Sequence, residues 1–306
     1  MNDGDNLNFE KLFEGIPMTW PTFLNTPPSE ANANACKVWI IPIPYEATES
    51  ISAGTRFAPK TVIEASKDLE DFDIELRHDI SKIGICTLPE IESDINSPEA
   101  MVARVEKVTS IAINLGKLPI LIGGEHTISI GSTKAAKDVW EDVTVLYLDA
   151  HADMRDSFMG GRFGHATAAR RIYENARIIH VGLRSASELE YNFLEKENIS
   201  KYVSPQIGVY TLAEIDKICK ELTQNVYVSF DFDVFDPSVI PATGAPEPGG
   251  LSWVGVTNLL SRICSSKTIV GMDFVELSPN LGPEYSSHVA AKLIYKSIGY
   301  CTVPKE

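Results

Sequence analysis

From Lys37 onward, short apolar and β-branched runs alternate with longer stretches whose apolar positions recur at helical spacing. The runs are Val38 to Pro42, Leu118 to Ile122, Val143 to Leu148, Ile178 to Val181, Val226 to Phe230 and Ile269 to Phe274. Each is long enough for a strand and almost unbroken in hydrophobicity, the texture of strands covered by helices on both faces of a parallel sheet. Ser97 to Leu115 is the clearest helix, with a Ser and a Pro at its start. The pattern predicts repeated βαβ units. No Ser/Gly-rich linker and no repeat interrupts it, so residues 37–306 read as a single doubly wound α/β domain. Residues 1–36 carry Pro17, Pro21, Pro27 and Pro28 among several Asn, which predicts an arm packed on that domain.

Composition adds little to this picture and removes several alternatives. With 44% hydrophobic and 23% charged residues the chain matches folded globular proteins rather than disordered ones. A formal net charge of -15 argues against a nucleic-acid surface and suits a small cationic substrate. The five cysteines, Cys36, Cys86, Cys219, Cys264 and Cys301, are odd in number, are scattered and form no CxxC pair, so they read as reduced structural thiols. The N-terminus lacks a basic segment followed by an apolar run, and nothing approaches a membrane span. The expectation is a cytoplasmic protein with no membrane or nucleic-acid partner.

In a parallel α/β sheet, ligands bind beyond the carboxyl ends of the strands, so polar residues that follow apolar runs come first. Three runs end in such residues. LPILIGG leads to Glu125 and His126, VTVLYL to Asp149, His151 and Asp153, and VYVSF to Asp231, Asp233 and Asp236. Asp149, His151 and Asp153 alternate, so an extended segment would place them on one face, and Asp231 with Asp233 would do the same. Crowding these carboxylates at one sheet edge without cations would cost several kcal/mol per charge, at order of magnitude. A pair of metal ions sharing Asp149 and Asp231 removes the difficulty. Imidazoles with several carboxylates and no thiolate suit Mn²⁺. Two such ions would lower the pKa of a shared water and generate hydroxide near neutrality.

Gly123-Gly124-Glu125-His126-Thr127, Asp149-Ala150-His151-Ala152-Asp153 and Ser229 to Pro237 (SFDFDVFDP) resemble the ureohydrolase family of agmatinases, arginases and formimidoylglutamases. The resemblance runs from about Lys37 to the C-terminus and includes SAGTRFAP, PATGAPEPGGL and GMDFVELSP. It implies a three-layer α/β/α fold around a mainly parallel eight-stranded sheet, two Mn²⁺ per chain, and assembly as homotrimers or homohexamers. One ion would take His126, Asp149, Asp153 and Asp231, and the other Asp149, His151, Asp231 and Asp233. The resemblance also implies that Glu276 binds the guanidinium group and His165 shuttles a proton, while Asp153 holds the attacking water. His78, His180 and His288 match no ligand position and read as structural.

The substrate follows from what is missing. Arginase-type sites carry an Asn shortly after the DAHxD segment and an Asp after a GLR-like strand end; here those places read Met154-Arg155-Asp156 and Ser185-Ala186-Ser187. Ala245 stands where TGTP versions of its motif have Thr. GTRFAP, HADMRD and GHATAARRI look closest to agmatinases of the archaeal type. The expected reaction is hydrolysis of agmatine to putrescine and urea in polyamine biosynthesis. The alternatives are hydrolysis of aminopropylagmatine, of arginine or of a guanidino acid. Beyond these stand two other classes, a catalytically inactive regulator on the same fold and a single-metal deacetylase-like hydrolase.

Overall fold

The computed structural model describes residues 20–27, 33–50 and 52–304. Most of the expected N-terminal arm therefore lies outside the described residues. Within 20–27, a 3₁₀ turn at Phe23–Asn25 buries Phe23 and Leu24 in the main core.

Among the described residues ten strands form in chain order: β1 Val38–Ile43, β2 Phe72–Asp73, β3 His78–Asp79, β4 Ile85–Thr87, β5 Leu118–Gly123, β6 Val143–Leu148, β7 Arg177–Leu183, β8 Ser200–Val203, β9 Asn225–Asp231 and β10 Thr268–Val275. Eight of them make one sheet in the order β4-β1-β5-β10-β9-β6-β7-β8, and every pairing in it is parallel. β2 and β3 pair separately as a small antiparallel ladder. The six runs read from the sequence are the six inner strands. The two edge strands, β4 and β8, escape that reading because one is three residues long and the other, Ser-Lys-Tyr-Val, is polar and only partly buried.

Helices cover both faces. Ala58–Ser66, Leu212–Glu221, Trp253–Ser266 and Tyr285–Thr302 pack with Ile40, Ile122, Leu148, Val228 and Phe274 on one side. Pro98–Asn114, Ile128–Val139, Ala168–Tyr173 and Glu188–Lys196 cover Ile41, Leu121, Val145, Tyr147 and Tyr227 on the other. Full burial of each Val, Ile or Leu contributes about 1.5–3 kcal/mol, and this is why the inner strands tolerate apolar residues at successive positions. The helix Pro98–Asn114 starts as its sequence predicts: Ser97 Oγ accepts from the Ala100 N–H, and Pro98 occupies the first turn, where no N–H is needed. Cys264 and Cys301, 37 residues apart, bring their sulfurs to 3.1 Å between two of these helices, a proximity that sequence spacing hides.

Parallel register sets what lies beneath the carboxyl edge. Tyr147 pairs with His180 on one side and Ser229 on the other, Ser229 pairs with Asp273, and Asp273 with Leu121. This row of His180, Tyr147, Ser229 and Asp273 points to one face. Two residues further along their strands stand Asp149 and Asp231, directly above it.

Candidate metal centre

The carboxyl ends of β5, β6, β9 and β10 meet at one edge, and each contributes. After β5, Gly124 lets the chain bend against β1: a Cβ there would fall 1.9 Å from the Tyr45 carbonyl oxygen. The turn delivers His126, fully buried, whose backbone N–H donates to Glu276 Oε1 at 2.6 Å. His126 Nδ1 lies 3.1 Å from Asp149 Oδ2, 3.2 Å from Asp231 Oδ2 and 3.6 Å from Asp153 Oδ2. His151 Nδ1 lies 2.8 Å from Asp233 Oδ2 and 3.7 Å from Asp149 Oδ1.

The acidic residues reach this spot by turns rather than by strand alternation. Asp149 begins an irregular segment in which its Oδ1 accepts from the His151 N–H at 2.5 Å, and Asp153 adopts a left-handed φ of 50°. Asp231 ends β9, and its Oδ1 accepts from the N–H of Asp233, which sits in the 3₁₀ turn Phe232–Val234. The expectation of an extended pleat is corrected accordingly: short-range carboxylate to N–H bonds make the i, i+2 side chains converge. Glu276, immediately after β10, has φ 65°. Left-handed backbone at a non-glycine residue costs about 1–3 kcal/mol and persists where the surroundings impose it.

Two sets of ligand atoms result, His126, Asp149 and Asp153 in one and Asp149, His151 and Asp233 in the other, each with its atoms within 4.8 Å of one another. Asp149 belongs to both. Its Oδ2 is buried and, among the described residues, has no hydrogen-bond partner beyond the ion-pair contact with His126. Burial, reinforced by the charge of Asp149, pushes the Asp153 carboxyl well above its usual range, and burial with Asp233 and Asp149 does the same to Asp231. Burial alone would lower the His126 imidazole, yet the surrounding carboxylates raise it to about 9. Carboxylates that resist ionisation together, with an unmet acceptor at their centre, fit divalent cations by the chemistry of their donors.

The second ring nitrogen of His126 is also specified. Nε2 lies 2.9 Å from Ser229 Oγ, and Ser229 Oγ donates to Asp273 Oδ1 at 2.8 Å. Asp273, fully buried, also accepts from Ser129 and Ser132. Because Ser229 spends its single proton on Asp273, it accepts from His126 Nε2–H, which turns Nδ1 toward the carboxylates and the Tyr147 hydroxyl, 3.0 Å away. The Tyr147 ring stacks on His126 at 4.4 Å, and its hydroxyl donates to Asp153 Oδ2 at 2.8 Å. Sequence reading missed Tyr147, Ser229 and Asp273. Tyr147 carried one signal, its position two residues before Asp149 on the same strand face.

A cavity of about 430 Å³ opens above the cluster, and His151, Asp153, Asp231, Asp233, His165 and Glu276 all line it. Ser185, Ser187, Ala245 and Arg155 line it as well, and so does Glu49, which the sequence reading did not single out. The Glu49 and Glu276 carboxyls are neighbours. Burial, with the charges of Glu125 and Glu46, raises Glu49 to about 7 against the lowering effect of its hydrogen bond with Glu276, and Glu276 stands well above its usual range through burial and Glu49. His165 is held low, at about 4, by burial and by the positive imidazoles of His126 and His151.

Fold and site together define the class, enzymes that hydrolyse C–N bonds of guanidino compounds. The sequence profile of the Arginase family matches residues 36–299, and the chain belongs to that family, whose members are binuclear metal enzymes. The N(1)-aminopropylagmatine ureohydrolase of Synechocystis sp. is 35% identical over 288 residues, 91% of this chain and 93% of that protein. The agmatinase of Pyrococcus horikoshii is 33% identical over 262 residues, covering 85% and 90%. Among solved structures, the agmatine ureohydrolase of Thermoplasma volcanium superposes with a TM-score of 0.83 at 31% identity, covering 93% of this chain and 95% of that one. Among the described residues no helix is long and apolar enough to cross a membrane.

Proposed function

We propose that this protein is a manganese-dependent agmatinase, releasing urea and putrescine from agmatine. The observation that carries the reading is the acidic cavity, in which Glu276 and Glu49 stand beside the paired His and Asp cluster. His126, Asp149, Asp153 and Asp231 would hold one Mn²⁺, and Asp149, His151, Asp231 and Asp233 the other. Bound there, the ions would supply the Lewis acidity that brings the pKa of a water toward neutrality and tempers charge at the attacked carbon.

The chain's own groups do the rest. Glu276 meets the planar guanidinium, whose positive charge draws the raised carboxyl into its ionised form, and its two oxygens match a pair of parallel N–H donors. The Asp153 carboxyl, steadied by the Tyr147 hydroxyl, holds the attacking water by a hydrogen bond and takes up its proton. The departing amine needs a proton, and Asp153 or His165 delivers it. His165 is the neutral, cavity-lining base suited to relay it. The net charge of -15 and the carboxylates around the cavity favour a dication over an amino acid.

Aminopropylagmatine is the second reading, favoured by the 35% identity to the Synechocystis enzyme of that name. The Mn²⁺-loaded protein, assayed for urea with agmatine, aminopropylagmatine, arginine and guanidinobutyrate, decides between them. The expected result is the highest kcat/KM on agmatine; an aminopropylagmatine value tenfold higher transfers the assignment. We further propose that the protein works in the cytoplasm as a homotrimer or homohexamer, to be checked by light scattering.

A further inference from the structure

Glu125 is fully buried beside the metal cluster, is not among the proposed metal ligands, and has no role in the chemistry above. Four donors converge on it. The N–H groups of Ala47 and Thr48 donate to Oε2 at 2.8 and 2.7 Å, and the hydroxyls of Thr48 and Thr127 donate to Oε1 at 2.8 and 2.6 Å. This carboxylate ties the loop after β1 to the turn after β5.

The Thr48 hydroxyl continues the chain of bonds. A hydroxyl has one proton and two lone pairs. Thr48 gives its proton to Glu125, as does Thr127, whose hydroxyl lies 3.4 Å away, so the two contacts on the His165 side must be donors to it. Those contacts are the His165 backbone N–H at 3.1 Å and His165 Nδ1, also at 3.1 Å. Gly164 permits the approach, since a Cβ there would lie 3.1 Å from Thr48 Oγ1. The far nitrogen, Nε2, lies 3.3 Å from Ser50 Oγ, and Phe158 meets the ring edge-on at 5.8 Å between centroids. Both Ser50 and Phe158 line the cavity.

We propose that Glu125 and Thr48 are positioning residues that hold His165 as the Nδ1–H tautomer, so that Nε2 presents its lone pair to the cavity. The opposite tautomer would draw the Thr48 proton to Nδ1, setting its hydroxyl oxygen lone pair to lone pair with Glu125 Oε1 at 2.8 Å and leaving that buried oxygen with Thr127 as its one hydroxyl donor. Burial keeps the ring neutral, and only in a neutral ring does the tautomer matter. The inference rests on the reading of His165 as the proton carrier, although the tautomer itself can be measured without turnover.

The test is ¹⁵N NMR of the imidazole rings in full-length, metal-free protein at pH 7, with His165 assigned by difference from H165N. The expected wild-type spectrum shows a protonated Nδ1 and a bare Nε2 at His165. Thr48→Val, which keeps the shape and removes the hydroxyl, shifts the ring toward Nε2–H, while Thr48→Ser keeps the wild-type pattern. In the Mn²⁺-loaded enzyme, Thr48→Val lowers kcat about 100-fold with KM within about twofold, and Thr48→Ser restores it. A wild-type Nε2–H ring, or an unchanged tautomer in a folded Thr48→Val protein, overturns the inference. Absence of turnover on every guanidino compound, with the tautomer as stated, removes the substrate assignment instead.

Discussion

Ser229 and Asp273 are register partners on adjacent parallel strands, and the serine hydroxyl donates to the aspartate across 2.8 Å, directly beneath the proposed metal ligands. That bond makes Ser229 an acceptor toward His126 Nε2–H and turns Nδ1 toward the cluster. Ser229→Ala leaves a buried N–H and a buried carboxylate each short of a partner. Metal affinity should fall about 10- to 100-fold with the circular dichroism spectrum unchanged, as read by titration against a competing chelator. An unaltered affinity would show that His126 is oriented by its other neighbours alone.

Asp149 is the residue common to both ligand sets. Asp149→Asn removes charge from both at once, so metal content should drop below one ion per chain and urea release by about 1000-fold or more. Elemental analysis beside the activity assay checks this. Conversely, stripping the wild-type protein with a chelator should lower its melting temperature, with recovery on adding Mn²⁺, because an ion bound only by the folded state stabilises it.

His180 is fully buried, and neither ring nitrogen has a hydrogen-bond partner among the described residues. Burial lowers its pKa to about 4, against about 6.5 in an unfolded chain. The unfolded state therefore binds the proton more readily, so this group's contribution is intact above pH 6.5 and is lost as pH falls toward 4. Between pH 7 and pH 5 the metal-free protein should lose about 2 kcal/mol through His180 alone. Urea denaturation of His180→Phe, compared with wild type at both pH values, should show that part of the acid sensitivity removed.

Lys296, on the helix Tyr285–Thr302, donates to Asp73 Oδ1 at 3.0 Å, and both groups are buried. Burial pushes the Asp73 carboxyl up, but the Leu76 N–H and the Lys296 ammonium outweigh it and hold the pKa below its usual value. A depressed carboxyl contributes stability above the unfolded pKa, about 4, and loses it as pH falls through the folded value. At neutral pH, Asp73→Asn should cost about 3 kcal/mol, the low end for a broken buried pair, since Glu75 still reaches Lys296. The difference from wild type should shrink at pH 3; a constant difference would mean that packing, not charge, carries the effect.

The sequence disclosed what depends on short range. Apolar runs marked the six inner strands, and the polar residues after them, His126, Asp149, His151, Asp153, Asp231 and Asp233, were visible as potential ligands because a parallel sheet places strand ends together. Cross-strand register was not visible. The row of Tyr147, Ser229 and Asp273 exists only because residues 44 and more apart align across β6, β9 and β10. Thr48 and Glu49 were equally hidden, since they lie on a loop whose path is set by Glu125, 77 residues away from Thr48. His165 and Glu276 came from resemblance, because a lone His in a turn and a lone Glu at a strand end look like surface residues.

The position of β10 bears on how the protein is made. Drawn from residues 268–275, it lies between β5 and β9 and joins the β4-β1-β5 group to the β9-β6-β7-β8 group. A ribosome delivers the other seven strands of the sheet first, and until β10 emerges the nascent chain holds two half-sheets whose inner edges, β5 and β9, expose unpaired backbone. The interval before β10 emerges is thus the chain's point of greatest exposure to misassociation. A message truncated before Thr268 yields two unjoined halves rather than a smaller enzyme.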